Sequence, residues 1–424
     1  MQTILAFIVV FGIIVIVHEF GHFYFAKKAG VLVREFSIGM GPKLFQTHRN
    51  ETSYTIRVLP LGGYVMMAGF EEEEDIRLGM SALLHLDEAN IVTEIDLSGN
   101  TMQTTGVPIE VLEYDFEDEL FIKGSIDEDL ENTVTYSVKE NAIVIQEDET
   151  KLQIAPANRR FQNASLKDRI LTNFGGPLNN FLLAIIAFIA LGFLQGGVAS
   201  NEPLIGEVQE DSPAIETQIE TGDRVLTIDG EEISSWNEML LMVQAHPNEP
   251  LEFEIQKENQ DVIIETITPK AITLEDGTEI GQIGVQVLMK DSFIDKLAFG
   301  FTETWFYIKN IFTSILLLIT GQISTDNLGG PVAIFQMTSE VTQTAGWLGI
   351  INFIGFLSVN LGLMNLFPIP ALDGGKLLLN VVEAVRGKPI SEEKETMLTL
   401  ISAILLLLLM VFVTWNDIQR FFFN

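Results

Sequence analysis

Long apolar runs alternate with polar stretches along the whole chain, and the runs are of two kinds. Residues 4–25 (ILAFIVVFGIIVIVHEFGHFYF), 178–198, about 349–367 and 397–415 are each long enough to cross roughly 30 Å of hydrocarbon as a helix. The first run has no basic segment before it and no small-residue cleavage site after it, which predicts a retained helix rather than a removed leader. Residues 297–321 are also apolar but carry Glu303 and Lys309, and read as an interfacial helix. Elsewhere the period drops to two. YTIRVLPLGGYVMMAG (54–69) reads as two short strands around a Pro-Leu-Gly-Gly turn, and TVTYSVKE, AIVIQE and KLQIA mark strands within 71–155. LIGEV, RVLTIDG and LEFEIQ alternate likewise within 203–270, beside one helical stretch, WNEMLLMVQAH.

These elements predict a polytopic α-helical membrane protein with four transmembrane helices, a β-hairpin region and two soluble inserts. In chain order, the first helix takes 1–28, a membrane-associated β region 29–70 and a β-rich insert 71–155. An amphipathic segment and second span take 156–199, an α+β domain 200–292 and interfacial helices 293–345. The third span takes 346–380 and the fourth 381–424.

Charge sharpens this division. The chain has 424 residues, 47% hydrophobic, with a net charge of −33. Residues 71–155 hold 23 acidic and 4 basic side chains and residues 202–291 hold 21 and 4, leaving 14 acidic and 17 basic elsewhere. The acidity belongs to solvated inserts, with EEEED at 71–75 as an exposed loop, and no basic patch invites nucleic acid. The absence of cysteine excludes disulfides, thiolate metal sites and a cysteine nucleophile. Basic flanks orient the spans: Lys27 and Lys28 follow the first, Arg159, Arg160, Lys167 and Arg169 precede the second, Lys376, Arg386 and Lys388 follow the third, and Lys394 precedes the fourth. By the positive-inside rule both termini face out, residues 29–170 are cytoplasmic and 200–345 extracytoplasmic.

The first span contains His18, Glu19 and His22, although a charged residue near a span's centre costs about 2.5–3.5 kcal/mol on insertion scales. At i and i+4 the two imidazoles share a helix face and can hold Zn²⁺, while Glu19 beside them can take a proton from an attacking water. A catalytic zinc needs a third protein ligand. His48, His85 and His246 lie in soluble segments, whereas NLFPIPALDGG (365–375) breaks the third span with two prolines and offers Asp373 in a turn. Taken alone, LDGG is an ordinary loop. Because the first and third spans run in the same direction, however, Asp373 arrives at the depth of the two histidines, completing a His₂Asp zinc site.

H-E-x-x-H in a first span with N-x-x-P-x-P-x-L-D-G near the end of a later one resembles the site-2 protease family of intramembrane zinc metalloproteases. FSIGMGPKLF, RVLPLGGYVMMAG, FGGPLNN and a PDZ-like insert follow in family order over nearly the whole chain. The resemblance is closest to the RseP-type branch, and within it to Gram-positive enzymes that process peptide pheromone precursors and anti-sigma factors. It implies that His18, His22 and Asp373 bind zinc, that Glu19 is the general base and that Asn365 holds substrate near the scissile bond. It further implies that Asn180 approaches the site and that the hairpin containing Gly62, Gly63 and Tyr64 pairs with an extended substrate; a plain amphipathic hairpin is the alternative. NFGGPLNN read by its residues alone is a Gly-Pro helix start.

The PDZ-like insert, 200–292, would act as a size filter. Peptide capture by its PLIG segment is less secured, because Gln218 and Glu220 stand where small residues are usual. The partners implied are transmembrane proteins or signal-peptide remnants, the lipid bilayer and, in some pathways, an upstream site-1 protease. A reading from another class is a metal-stabilised membrane adaptor that recruits partners through the PDZ-like domain without cutting them. Glu19 argues against it, since structural zinc needs no base.

Overall fold

The computed structural model describes residues 2–69, 76–99, 106–126, 133–147, 150–274, 277–324 and 328–423, and among these described residues four helices are long and apolar enough to cross a membrane. The acidic run 71–75 lies outside the described residues. Two compact units divide the chain, one of residues 1–184 and 304–424, the other of residues 185–303.

The first unit opens with α1 (Gln2–Lys28). This helix is apolar all round, yet Val10, Ile14, His18, His22 and Ala26 are all buried, and their spacing of four puts them on one face. Two long strands follow, β1 (Val33–Arg49) and β2 (Thr52–Met67). Both bend, so residues 33–38 take partners on two sides, 63–67 in descending register and 53–56 in ascending register, while 43–49 pairs with 52–57. The two strand segments flanking Pro-Leu-Gly-Gly therefore do not pair with each other as a simple hairpin; residues 33–38 run between them. The chain turns at Gly62, whose φ of +78° suits glycine.

The insert consists of β3 (Ser81–Leu86), β4 (Val92–Asp96), β5 (Val107–Asp115), β6 (Phe121–Ser125), β7 (Thr133–Ile145) and β8 (Lys151–Gln153). Five strands run in the order β4-β3-β5-β6-β7 and pairing of β4 with β7 closes them into a barrel, with β8 attached to β7. Leu84, Val92, Ile95, Val111, Phe116 and Ile122 fill its interior. Closure removes the exposed edges that an acidic, water-facing sheet would otherwise carry. Glu51, at the turn between β1 and β2, anchors the barrel's exit: Arg159 pairs with it through both guanidinium nitrogens at 2.9 and 2.8 Å and, with help from Gln153, holds its carboxyl down at about 2.

Helix α2 runs without interruption over Leu166–Leu194. The expected helix start at Gly176-Pro177 is therefore corrected, since Pro177 lies inside the helix, where neighbouring helices can compensate for its missing donor.

Residues 185–303 carry β9 (Val198–Ala199), β10 (Ile205–Val208), β11 (Arg224–Ile228), β12 (Glu231–Glu232), α3 (Trp236–Ala245), β13 (Leu251–Gln256), β14 (Val262–Ile267), β15 (Lys270–Thr273), β16 (Glu279–Gln282), β17 (Val285–Val287) and β18 (Met289–Lys290). The sheet β12-β11-β13-β14 packs its apolar face with α3 around Ile228, Met239, Phe253 and Ile255. The PLIG segment is not available for peptide capture along its edges. β10 pairs with β17 on one side, and on the other Ile205 exchanges backbone hydrogen bonds with Gly222 and Asp223.

Among the described residues four further helices follow α4 (Phe293–Ile319), which is continuous across the run expected to be interfacial and is not among the four long apolar helices. Helix α5 (Pro331–Thr344) packs through Ile334 and Val341 with Val10 and Ile14 of α1 and with Phe353 and Leu357 of α6 (Gly346–Asn365). The third span thus ends at Asn365, and α7 (Asp373–Arg386) is a separate helix. Helix α8 (Glu392–Phe422) exposes nearly all its leucines, as a lipid-facing helix would. Near its end the buried Asp417 carboxylate accepts from the Gly330 and Ala333 amides at 2.9 Å each, capping α5.

Candidate metal centre

Helices α1 and α2 approach so closely at Gly21 and Gly175 that a Cβ on Gly21 would lie 2.0 Å from the Gly175 carbonyl oxygen. At the next residue, a Cβ on Gly176 would lie 2.3 Å from His22 Nε2 and 2.7 Å from His18 Cε1. The glycines allow α2 to pass directly under the two imidazoles, the usual means of close helix approach in membranes. Asn179 donates to the Val17 carbonyl at 3.0 Å, and Ser358 of α6 donates to the Asn180 carbonyl at 3.0 Å, fixing α1, α2 and α6 together.

Asp373 is the first residue of α7 rather than part of a loop, a favourable end for a carboxylate. Its Oδ2 lies 3.4 Å from His18 Nε2 and 3.3 Å from His22 Nε2, and the two Nε2 atoms are 3.3 Å apart. Ligands about 2.0–2.1 Å from a tetrahedral zinc stand about 3.3 Å from one another, so the triangle has the dimensions of one face of a zinc tetrahedron. Asp373 Oδ2 is buried without a hydrogen bond, as an atom reserved for a cation would be. Among the described residues this is the one cluster of His, Asp and Glu groups that converges in this way. The chemistry of the donors, two imidazoles and one carboxylate, suits zinc.

Second-layer contacts orient the rings. His22 Nδ1 is 2.8 Å from the Thr172 carbonyl, which can only accept, so Nδ1 carries the proton and Nε2 presents its lone pair to the centre. Asn180, expected to approach the site, is fully buried beneath His18, its amide nitrogen 3.2 Å from Nδ1. Asn365, at the end of α6, brings its amide nitrogen to 3.5 Å from His18 Nε2, on the side of the centre itself. The stripe Thr172, Gly176 and Asn180 was not legible as a unit, although its spacing of four on α2 matches the spacing of His18 and His22 on α1.

The bent sheet reaches the same place. Gly63 lies against α1, where a Cβ would meet Glu19 Cγ at 3.0 Å and Val15 Cγ1 at 3.1 Å. Residues 63–67 form an outer segment of that sheet, paired on one side with 33–38 and with no further strand beyond among the described residues. A buried polar network holds this segment in place. Arg57 donates to Ser37 Oγ at 2.9 Å, to the Gly41 carbonyl at 2.8 Å, to Glu35 Oε1 at 3.0 Å and to the Tyr64 hydroxyl at 2.6 Å, and that hydroxyl donates to Glu35 Oε2 at 2.8 Å. Burial pushes the Glu35 carboxyl up, but its hydrogen bonds, those from Tyr64 and Arg57 among them, outweigh this and keep it below the ordinary range. The Tyr64 side chain is therefore engaged by Arg57 and Glu35, while Gly63 faces Glu19.

Comparison with known proteins identifies the family. The model of Peptidase family M50 matches residues 6–409. The Enterococcus faecalis protein named "Probable protease eep" is 46% identical over 427 residues, covering all of both chains. The zinc metalloprotease RasP of Geobacillus kaustophilus is 43% identical over 423 residues, covering all of this chain and 99% of RasP. Among solved structures, the PDZ domain of an SdrC-like protein from Listeria monocytogenes is 21% identical, spans 21% of this chain and 90% of its own, and has a TM-score of 0.18. A match over most of the chain and full-length relatives above 40% identity have one meaning: this protein belongs to peptidase family M50, the site-2 proteases, and is a multi-pass membrane zinc metalloprotease.

Proposed function

We propose that this protease cuts transmembrane segments or signal-peptide remnants, with His18, His22 and Asp373 holding zinc and Glu19 as the general base. The observation that carries this reading is the 3.3–3.4 Å triangle of ligand atoms beside a sheet segment with one unpaired side. When bound, zinc polarises the scissile carbonyl and lowers the pKa of attacking water toward about 7. Glu19 takes the proton from that water and returns it to the departing amide nitrogen. A transmembrane helix conceals its own backbone, so the substrate must be held extended. Pairing along residues 63–67 supplies the missing partner strand and lays the substrate past Glu19. Asn365, beside His18 Nε2, is suited to hold the substrate carbonyl near the scissile bond.

Lys27 and Lys28 at the end of α1 support a site near the cytoplasmic face, with the barrel in the cytoplasm and residues 200–292 outside. The α+β arrangement of that outer domain supports a PDZ-like module that restricts access of bulky substrates. Glu19 beside the ligand triangle and the unpaired strand disfavours the non-cleaving adaptor.

The test co-expresses a small single-span substrate with wild type and with Glu19→Gln. Loss of cleavage with zinc retained is expected, whereas equal substrate loss with both proteins overturns the proposal.

A further inference from the structure

We infer that Asn180 is a positioning residue that fixes the tautomer of His18, accepting its Nδ1–H through the amide oxygen so that Nε2 remains a bare ligand. The inference rests on the reading of His18 and His22 as zinc ligands. It begins from the pairing of α1 with α2, in which Thr172, Gly176 and Asn180 form one stripe. Thr172 settles His22, because a carbonyl can only accept and the 2.8 Å contact leaves no other place for the ring proton. His18 has no carbonyl against its Nδ1. Its partner is the carboxamide of Asn180, fully buried and 3.2 Å away, which can present either an acceptor or a donor.

The two presentations have different consequences. An amide N–H donated to Nδ1 forces the ring proton onto Nε2, where it points at His22 Nε2 and Asp373 Oδ2, 3.3 and 3.4 Å away, and removes the lone pair the centre requires. Turned by 180°, the same carboxamide occupies the same space, and Oδ1 accepts Nδ1–H. All three converging atoms are then lone-pair donors. Asn180 Oδ1 has no other hydrogen-bond partner among the described residues and is free for this role. The Asn180 backbone is held by Ser358, and a Cβ on Gly362 of α6 would lie 3.3 Å from the Asn180 Cβ, so α6 packs closely against this residue.

The experiment measures zinc affinity by chelator competition in purified wild type, Asn180→Leu, Asn180→Asp and His22→Ala. Asn180→Leu keeps the volume but has no acceptor and is expected to lose about 10–100-fold in zinc affinity, the usual effect of removing such a partner. Asn180→Asp retains the acceptor and is expected to bind zinc at least as tightly as wild type. If Asn180→Leu binds like wild type, or if a folded Asn180→Asp weakens zinc as much as Leu does, the proposal is overturned. Nitrogen NMR of zinc-loaded wild type with labelled histidine needs no variant: a protonated His18 Nδ1 is expected, and a protonated Nε2 overturns the proposal. His22→Ala separates the two levels. Wild-type zinc affinity in that variant would remove the ligand reading itself, whereas its loss with Asn180→Leu unaffected would remove only the role of Asn180.

Discussion

Replacing Gly176 with alanine places one methyl group under the metal centre. That Cβ would lie 2.3 Å from His22 Nε2, 2.8 Å from His22 Cε1 and 2.7 Å from His18 Cε1. Non-bonded heavy atoms rest about 3.5 Å apart, so the His22 ring must move by roughly 1.2 Å or α2 must retreat by the same distance. Retreat is resisted by the Asn179–Val17 hydrogen bond and by Ser358 on Asn180. Metal–ligand distances tolerate about 0.2 Å, and a misplacement of about 1 Å costs on the order of 10²-fold in rate, or about 2.7 kcal/mol of barrier. Purified Gly176→Ala is therefore expected to carry less than half the zinc of wild type and to cleave a single-span reporter about 10²-fold more slowly. Gly12→Ala is the control, because a Cβ there meets nothing within 4 Å on the same helix as the histidines. Full zinc occupancy with turnover within about threefold of wild type in Gly176→Ala would refute the reasoning.

Two other expectations concern the substrate edge and the membrane orientation. Arg57→Met removes the fork that holds Tyr64, Glu35 and Ser37 and leaves the buried Glu35 carboxylate without its cationic partner; KM for a transmembrane substrate should rise on the order of tenfold with zinc content unchanged. Arg57→Lys should not restore it, because one ammonium cannot span those partners, and an unaltered KM in both variants would dismiss the network as a positioning device. In this cysteine-free chain, a cysteine at exposed Asn201 should react with an impermeant maleimide on intact cells, and one at exposed Glu88 only after permeabilisation; the opposite pattern reverses the topology.

The parts of the fold that follow a local rule were readable in advance. Four apolar runs became four long helices, and the ligand atoms of His18, His22 and Asp373 converge within 4.8 Å of one another. What escaped depends on pairing between distant segments. Gly176-Pro177 carries the local signature of a helix start, but the surrounding helices allow Pro177 inside α2 and the glycine serves a contact with α1. Asn180 stands in the FGGPLNN stretch that carried part of the resemblance, but only packing shows that it faces His18. The strand segments around Pro-Leu-Gly-Gly were legible as strands. That residues 33–38 pass between them was not, because strand patterning gives the face of each residue and leaves the order of neighbours open. The same limit concealed the closure of the barrel through β4 and β7.

Asp373 follows His22 by 351 positions, and it opens a helix near the end of the chain. At about 5–20 residues per second of synthesis, roughly 20–70 s separate the emergence of the histidine pair from that of the aspartate. With His18, His22 and Asp373 as the proposed ligands and Glu19 as the proposed base, a nascent chain throughout that interval holds the base and two ligands but lacks the third. On the proposed reading, the division of the ligand set between distant parts of the polypeptide leaves the centre incomplete until α7 has been made.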